Sequence, residues 1–512
     1  MRETTNDMKC LNNNDTLLPS RSSGILLPVF SLPSAHGIGT LGKAAFEFID
    51  FLAAAGQRYW QVLPLNPTGF GDSPYSSCSV FAGNPYFIDL DTLAAEGLLK
   101  KRELKAFDFG SDNRKIDYEK LYNGRFKLLR LAFERAELQN DPAYSRFVSE
   151  NEAWLSDYAL FMALKSHFDM KPWQAWDDAG ARLRRPSVLE KYGSKLQTEI
   201  EFHKYLQYLF YSQWEKVKSY ANSRGIGIIG DLPIYCALDS ADCWANMAQF
   251  QLDKDGRPTL VAGVPPDAFT EDGQLWGNPL YDWERMRKSR FAWWMRRIEN
   301  AEKLYDAVRI DHFRALESYW AVPASDDTAR NGHWVKGPGI GFVNAIKIRF
   351  PNLPFIAEDL GLLTEAVHEL RKASGYPGMK VLEFAFDPSG KSDYLPHNYD
   401  KNCVCYTGTH DNAPLLLYLE QAGEAERGFI AKYLGIKTKN AKQLAEAILR
   451  AGLASTANLF IAQMQDWLNL SEGSRINMPG TSEGNWQWRM KRGEASEKLA
   501  ARIRELTELY GR

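Results

Sequence analysis

Four short stretches of the sequence carry acids where acids could do chemistry. They are "GDLP" with Asp231, "RIDHF" with Arg309 and Asp311, "AEDLG" with Glu358 and Asp359, and "THDN" with His410 and Asp411. Each closes a short apolar run. Carboxylates brought together from separate runs suit the cleavage of a glycosidic bond. With retention of configuration, that reaction needs two carboxyl groups about 5–5.5 Å apart, a nucleophile and an acid/base. Their pKa values should be pushed apart. Period-two alternation puts Arg309 and Asp311 on one side of a strand, so the guanidinium can hold Asp311 ionised and oriented as the nucleophile. Glu358 follows the apolar Phe355-Ile356-Ala357, a dry setting that raises the pKa of an acid/base. An Asp at a strand end also caps helices, and for Asp359 that reading weighs at least as much as a chemical one. Strand-end His410 reads as a sugar contact, His312 as packing.

The elements that must position these groups are legible as repeated apolar runs. They are "GILLPVF" from Gly24, "RYWQVLPL" from Arg58, "GIGIIGDLPIY" from Gly225, "DAVRIDHF" from Asp306, "PFIAEDLG" from Pro354, "MKVLEFAFD" from Met379, "NCVCYTGTHDN" from Asn402 and "LFIAQMQD" from Leu459. Runs of this length read as strands buried on both faces, which implies parallel pairing. Amphipathic segments such as "LGKAAFEFIDFLAAAG" fill gaps between them, with Gly56 as a C-terminal stop. Strand and helix alternating about eight times predicts an α/β fold, a (β/α)8 TIM barrel, with an open doubly wound sheet as the rival. In such a barrel the catalytic groups come from the C-terminal strand ends.

Residues 1–512 read as one catalytic barrel with two additions. About 66–224 is a mostly helical insertion between the second and third strands, and its segments "YEKLYNGRFKLLRLAFERAE" and "TEIEFHKYLQYLFYSQWEKVKSY" are amphipathic by spacing. About 251–283, rich in Gly, Pro, Asp and Trp, reads as a long, partly ordered loop at the C-terminal face.

Composition narrows the class. Of 512 residues, 45% are hydrophobic and 25% charged, an ordinary globular balance. A net charge of −2 gives no reason to expect a nucleic acid or an anionic membrane as partner. The aromatics (15 Trp, 23 Tyr, 27 Phe) supply core area first and sugar-stacking platforms second. Trp293-Trp294, Trp486 and Trp488 read as packing. Six sparse cysteines without a C-x-x-C pair fit a reducing compartment. The N-terminal residues lack the apolar core of a signal peptide, and no run is long enough to span a bilayer. A cytoplasmic protein is expected. The glycines around His36 match neither G-x-G-x-x-G nor a P-loop and read as a turn. No H-x-H or H-E-x-x-H occurs, so no metal is expected.

The blocks "GDLPIY", "AVRIDHF", "IAEDLG" and "YTGTHDN" resemble the four signature regions of the α-amylase superfamily. More closely, the chain resembles the 4-α-glucanotransferases of the amylomaltase (disproportionating enzyme) family, glycoside hydrolase family 77. The stretches that carry this span most of the chain: "RSSGILLPVFSLPSAHGIGTLG", "RYWQVLPLNPTGFGDSPYSSCSVFAGNPYFIDL", "LDSADCWAN", "GVPPDAFTEDGQLWGNPLYDW" and "RINMPGTSEGNWQWRM". The resemblance implies Asp311 as nucleophile, Glu358 as acid/base and Asp411 as the carboxylate that grips the reacting sugar. It implies sugar contacts at Arg309, His410 and Asp231. It makes "GVPPDAFTEDGQLWGNP" a substrate-covering loop with contacts at Pro266, Asp267, Trp276 and Asn278, and it puts Ser73 and Tyr75 on the donor side. Ala315-Leu316 and Ala413-Pro414 depart from the common Gly-Phe and Asp-Thr, which leaves chain-length specificity open.

The expectation is a retaining transferase that needs no cofactor. It moves segments of α-1,4-glucan (maltodextrins, starch or glycogen fragments) to an acceptor glucan or glucose. The alternatives are an α-1,4-glucan hydrolase with the same triad, a catalytically silent glucan-binding protein, and a metal-dependent barrel hydrolase.

Overall fold

The computed structural model describes residues 21–69, 71–266, 270–361, 363–481 and 483–512. The eight apolar runs become eight strands of one parallel sheet: β1 (Ser22–Leu26), β2 (Tyr59–Gln61), β3 (Gly227–Leu232), β4 (Ala307–Ile310), β5 (Phe355–Ala357), β6 (Gly378–Val381), β7 (Cys403–Tyr406) and β8 (Leu459–Gln463). Their order is β6-β7-β8-β1-β2-β3-β4-β5. Between β5 and β6 the seam is closed by Ala357 N–H donating to the Pro377 carbonyl at 2.9 Å. Asp359 serves this seam rather than a helix cap. Its Oδ1 accepts from Met379 N–H at 2.7 Å, and Arg371 pairs with its Oδ2 at 2.9 Å. The closed barrel, not the open sheet, is the architecture.

The strands are buried on both faces because helices wrap the outside. Ile25, Ile228, Val308, Ile356, Val404 and Phe460 are all fully buried. Gly230, beside Asp231, lies under the Tyr305 ring, where any Cβ would fall 2.2 Å from ring carbons. A larger residue there would displace the strand that carries Asp231.

Between β2 and β3 the chain runs through a series of helices that ends in the 27-residue helix Gln197–Ser223, about 40 Å long at 1.5 Å per residue. This last helix belongs to the ring around the barrel. Trp214 Nε1 donates to the Leu304 carbonyl at 2.9 Å, and Tyr220 Oη to Asp50 at 2.7 Å. Two of its buried amides, Gln207 and Gln213, accept from the main-chain N–H groups of Gly83 and Asp89, each at 2.7 Å. They fasten the segment that follows the "GDSPYSS" turn.

Within the stretch expected as a long, partly ordered loop, 251–283, two strands form. Leu260–Val264 and Gln274–Pro279 pair antiparallel, and Leu260–Val264 pairs in turn with Ser318–Pro323, whose other neighbour is His333–Lys336. Local composition favoured a loop, but the partner strand lies about sixty residues on, beyond the reach of local pattern. Among the described residues no helix is long and apolar enough to cross a membrane.

Candidate active site

Asp311 follows β4 and Glu358 follows β5. These strands are neighbours in register, Arg309 with Ile356 and Ile310 with Ala357. Asp311 and Glu358 are therefore the next facing pair, on strands about 4.8 Å apart. Glu358 N–H donates to the Ile310 carbonyl at 3.0 Å and extends the ladder to that point. Its carboxylate accepts from His312 N–H at 2.7 Å and from Leu360 N–H at 3.0 Å. His312 takes a left-handed conformation, φ +53°, to aim its N–H there.

Behind Asp311 lies a chain of buried polar contacts. Arg309 donates from Nη2 to Asp311 Oδ1 at 2.9 Å and from Nη1 to Asp231 Oδ2. Tyr75 Oη donates to the same Asp231 oxygen at 2.6 Å and lies 3.3 Å from His410 Nδ1. The Tyr75 and His410 rings stack at 4.7 Å with 15° between planes, and Trp486 packs against both. Arg309 keeps only 5% of its side-chain exposure, while Asp311 keeps 26% and Asp411 45%. The two carboxylates face solvent and the guanidinium is sealed behind them.

Asp411 is held by His410 Nε2 at 3.2 Å and by Asn477 Nδ2 at 2.7 Å, both at Oδ1. Burial pushes its carboxyl up, but His410 and the two hydrogen bonds outweigh that and bring it to about 2. Burial raises Glu358 to about 7, against the pull of Arg309. The sequence suggested that Arg309 would keep Asp311 low. Instead burial, opposed by Arg309 and reinforced by Asp231, pushes Asp311 up to about 6. Arg309, which also serves Asp231, does not outweigh that burial. Burial thus raises both carboxyls of the pair.

Trp276 is 38% exposed on the strand Gln274–Pro279, and its ring meets the His312 ring edge-on at 4.8 Å. The strand Gln274–Pro279 thus reaches the residue beside Asp311. His312 is neither free nor simple packing, because its N–H binds Glu358 and its ring carries Trp276. Burial and Arg314 lower its pKa to about 3, so the imidazole is neutral. Asn278 donates from Nδ2 to the Cys236 carbonyl at 2.8 Å. Ser73 Oγ accepts from Tyr75 N–H at 3.2 Å and shapes the turn that presents Tyr75. Pro266 is exposed beside the covering strands, and Asp267 lies outside the described residues. Trp293, Trp294 and Trp488 are buried. Among the described residues no three His, Cys, Asp or Glu side chains group as metal ligands would.

A family model described as 4-alpha-glucanotransferase matches residues 27–495. The chain belongs to this family. The 4-alpha-glucanotransferase of Streptococcus pneumoniae is 46% identical over 497 residues, 97% of this chain and 98% of that protein. That of Thermus thermophilus is also 46% identical, over 95% of this chain and 98% of its own. Among solved structures, the amylomaltase from Streptococcus agalactiae in complex with acarbose superposes with a TM-score of 0.93 at 42% identity, covering 96% of this chain and 99% of that one. The 4-alpha-glucanotransferase barrel is therefore the frame in which these carboxylates sit. Sequence reasoning gave no role to Asn477 or Arg475, which lie in "SRINMPGT". Polar residues in a stretch without periodicity give no sign of what they touch.

Proposed function

We propose that the chain moves α-1,4-glucan segments from a donor to an acceptor glucan or glucose by double displacement, with Asp311 as nucleophile and Glu358 as acid/base. The observation that carries this is the Asp311–Glu358 pair at facing positions of adjacent parallel strands. Protonated Glu358 gives its proton to the glycosidic oxygen while an Asp311 oxygen attacks the anomeric carbon. The bond to the leaving oxygen breaks and a covalent glycosyl-enzyme forms. The freed fragment leaves, and an acceptor hydroxyl enters. Ionised Glu358 takes its proton, the hydroxyl oxygen attacks the anomeric carbon, and Asp311 departs. Two inversions give retention.

Asp411, held ionised, grips hydroxyls of the reacting sugar as positive charge develops on it. Asp231, His410 and Tyr75 form one hydrogen-bonded wall on the donor side, and Arg309 joins that wall to Asp311. Transfer requires that the acceptor be better placed than water, and the exposed Trp276 supports that reading by offering a ring face beside the nucleophile. One glycosidic bond replaces another, so the exchange needs no cofactor. A reducing, cytoplasmic setting is part of the reading, supported by the free thiols of Cys78, Cys236, Cys243, Cys403 and Cys405.

Incubation with maltotriose tests the proposal. A ladder of longer maltodextrins together with glucose is the expected result. Shortened products alone would identify a hydrolase, and binding without turnover a silent glucan-binding protein.

A further inference from the structure

The segment Arg475–Asn477 stands outside the carboxylate pair, yet it grips Asp411 and its neighbour at several points. Asn477 Nδ2 donates to Asp411 Oδ1 at 2.7 Å, and Asn477 N–H donates to the His410 carbonyl at 3.1 Å. Arg475 Nη2 donates to the Asp411 carbonyl at 2.5 Å, and its Nε donates to the Asn477 carbonyl at 2.7 Å. One guanidinium thus ties the main chain of Asp411 to the main chain of the residue that holds the Asp411 carboxylate. Asp411 needs such a tie, because it sits on the turn after β7 with 45% of its side chain exposed.

Arg475 also lines an open surface cavity with Glu383, Asn412, Tyr418, Glu426 and the exposed Gln421. Glu383 could draw the guanidinium away from Asp411. However, burial, reinforced by Asp466, raises its carboxyl well above the usual range. The hydrogen bonds of the guanidinium go to the two main-chain carbonyls instead.

We propose that Arg475 is a positioning residue for Asp411, fixing the carboxylate through the Asp411 main chain and Asn477 without touching substrate. This rests on the reading of Asp411 as the carboxylate that grips the reacting sugar. Loss of the clamp lets that carboxylate drift, and a drift of about 1 Å costs about 100-fold in rate. A planar fork can serve two carbonyls in different directions, which the ammonium of lysine cannot do in the same way.

The test uses the full chain with maltotriose as substrate and the variants Arg475→Ala, Arg475→Lys and Asp411→Ala. Arg475→Ala should lower kcat about 100-fold with KM within about threefold of the parent. Guanidinium ion, well below denaturing concentration, should enter through the cavity and restore about tenfold of the loss, while ammonium ion should restore none. Arg475→Lys should retain the parent melting temperature and lose about tenfold in kcat, which carries the test if the alanine variant does not fold. A raised KM with parental kcat would overturn the proposal, as would a loss that guanidinium does not relieve or a fully active lysine variant. The two readings separate cleanly. An active Asp411→Ala removes the assumed role of Asp411, whereas an inactive Asp411→Ala beside an active Arg475→Ala removes only the clamp.

Discussion

The main-chain N–H of His312 donates to Oε2 of Glu358 at 2.7 Å. The residue that follows Asp311, the proposed nucleophile, therefore holds Glu358, the proposed acid/base. The Glu358 carboxylate is thus held by the main chain of the Asp311 turn, while the Asp311 carboxylate is held by Arg309. The left-handed conformation of His312 is uncommon for a residue with a Cβ, and here it aims that N–H.

Glu358→Gln should lose about 1,000-fold or more on maltotriose, because the leaving oxygen must then depart unprotonated. On α-maltotriosyl fluoride, whose leaving group needs no proton, the loss should shrink to about tenfold or less for the first chemical step. Equal losses on both donors would count against the acid role. The same variant carries a stability signature. Glu358 titrates from 4.5 when unfolded to about 7 when folded. The folded state holds that proton more tightly, so this group's contribution is full below 4.5 and is lost as pH rises through 7. Denaturant melts should show Glu358→Gln gaining on the parent at pH 8 and little changed at pH 4.5.

Asp311→Asn should reduce transfer by about 10,000-fold or more, since an amide does not form the glycosyl ester. Circular dichroism should remain that of the parent. The polar contacts behind Asp311 reach it through one Arg309 bond, which an amide oxygen can still accept. Turnover near the parental rate would withdraw the nucleophile assignment.

The pH profile of kcat/KM should be a narrow bell. Activity falls as pH drops through about 6, where Asp311 gains a proton and stops being a nucleophile. It falls again as pH rises through about 7, where Glu358 loses the proton it must donate. The two limbs belong to the interacting pair rather than to single residues. Asp411, held at about 2, should contribute no limb in the working range. In Glu358→Gln with the fluoride donor the alkaline limb should disappear. Its persistence would point to another acid.

Trp276→Ala should shift the balance from transfer toward hydrolysis. The indole meets His312 edge-on at 4.8 Å and is otherwise partly exposed, so its removal opens the nucleophile side to water and deletes an acceptor platform. The ratio of released glucose to elongated products should rise about tenfold, and the acceptor KM should rise with it. An unchanged ratio would show that this tryptophan does not select the acceptor.

How much of this was legible without coordinates depends on what each residue needed. The strands β1 to β8 were visible because parallel barrel strands are buried on both faces and leave continuous apolar runs. Asp231, Arg309, Asp311, Glu358, His410 and Asp411 were visible because barrel chemistry sits where those runs end. The pairing of Leu260–Val264 with Ser318–Pro323 was not visible, since a loop-like composition hid a strand whose partner is distant. Asp359 could be a helix cap or a chemical group until β6 arrived beside it.

The sequence by itself determined the run of parallel strands, the acids at their ends and the order in which they arrive, because periodicity and strand ends are local properties; closure into a barrel was decided by the β5–β6 seam. Only the tertiary structure decided that Arg309 serves Asp231 as well as Asp311, that burial lifts both Asp311 and Glu358, and that Arg475 and Asn477 return to hold Asp411. Each of those depends on distance in space between groups far apart along the chain, and on how much water the fold leaves around them.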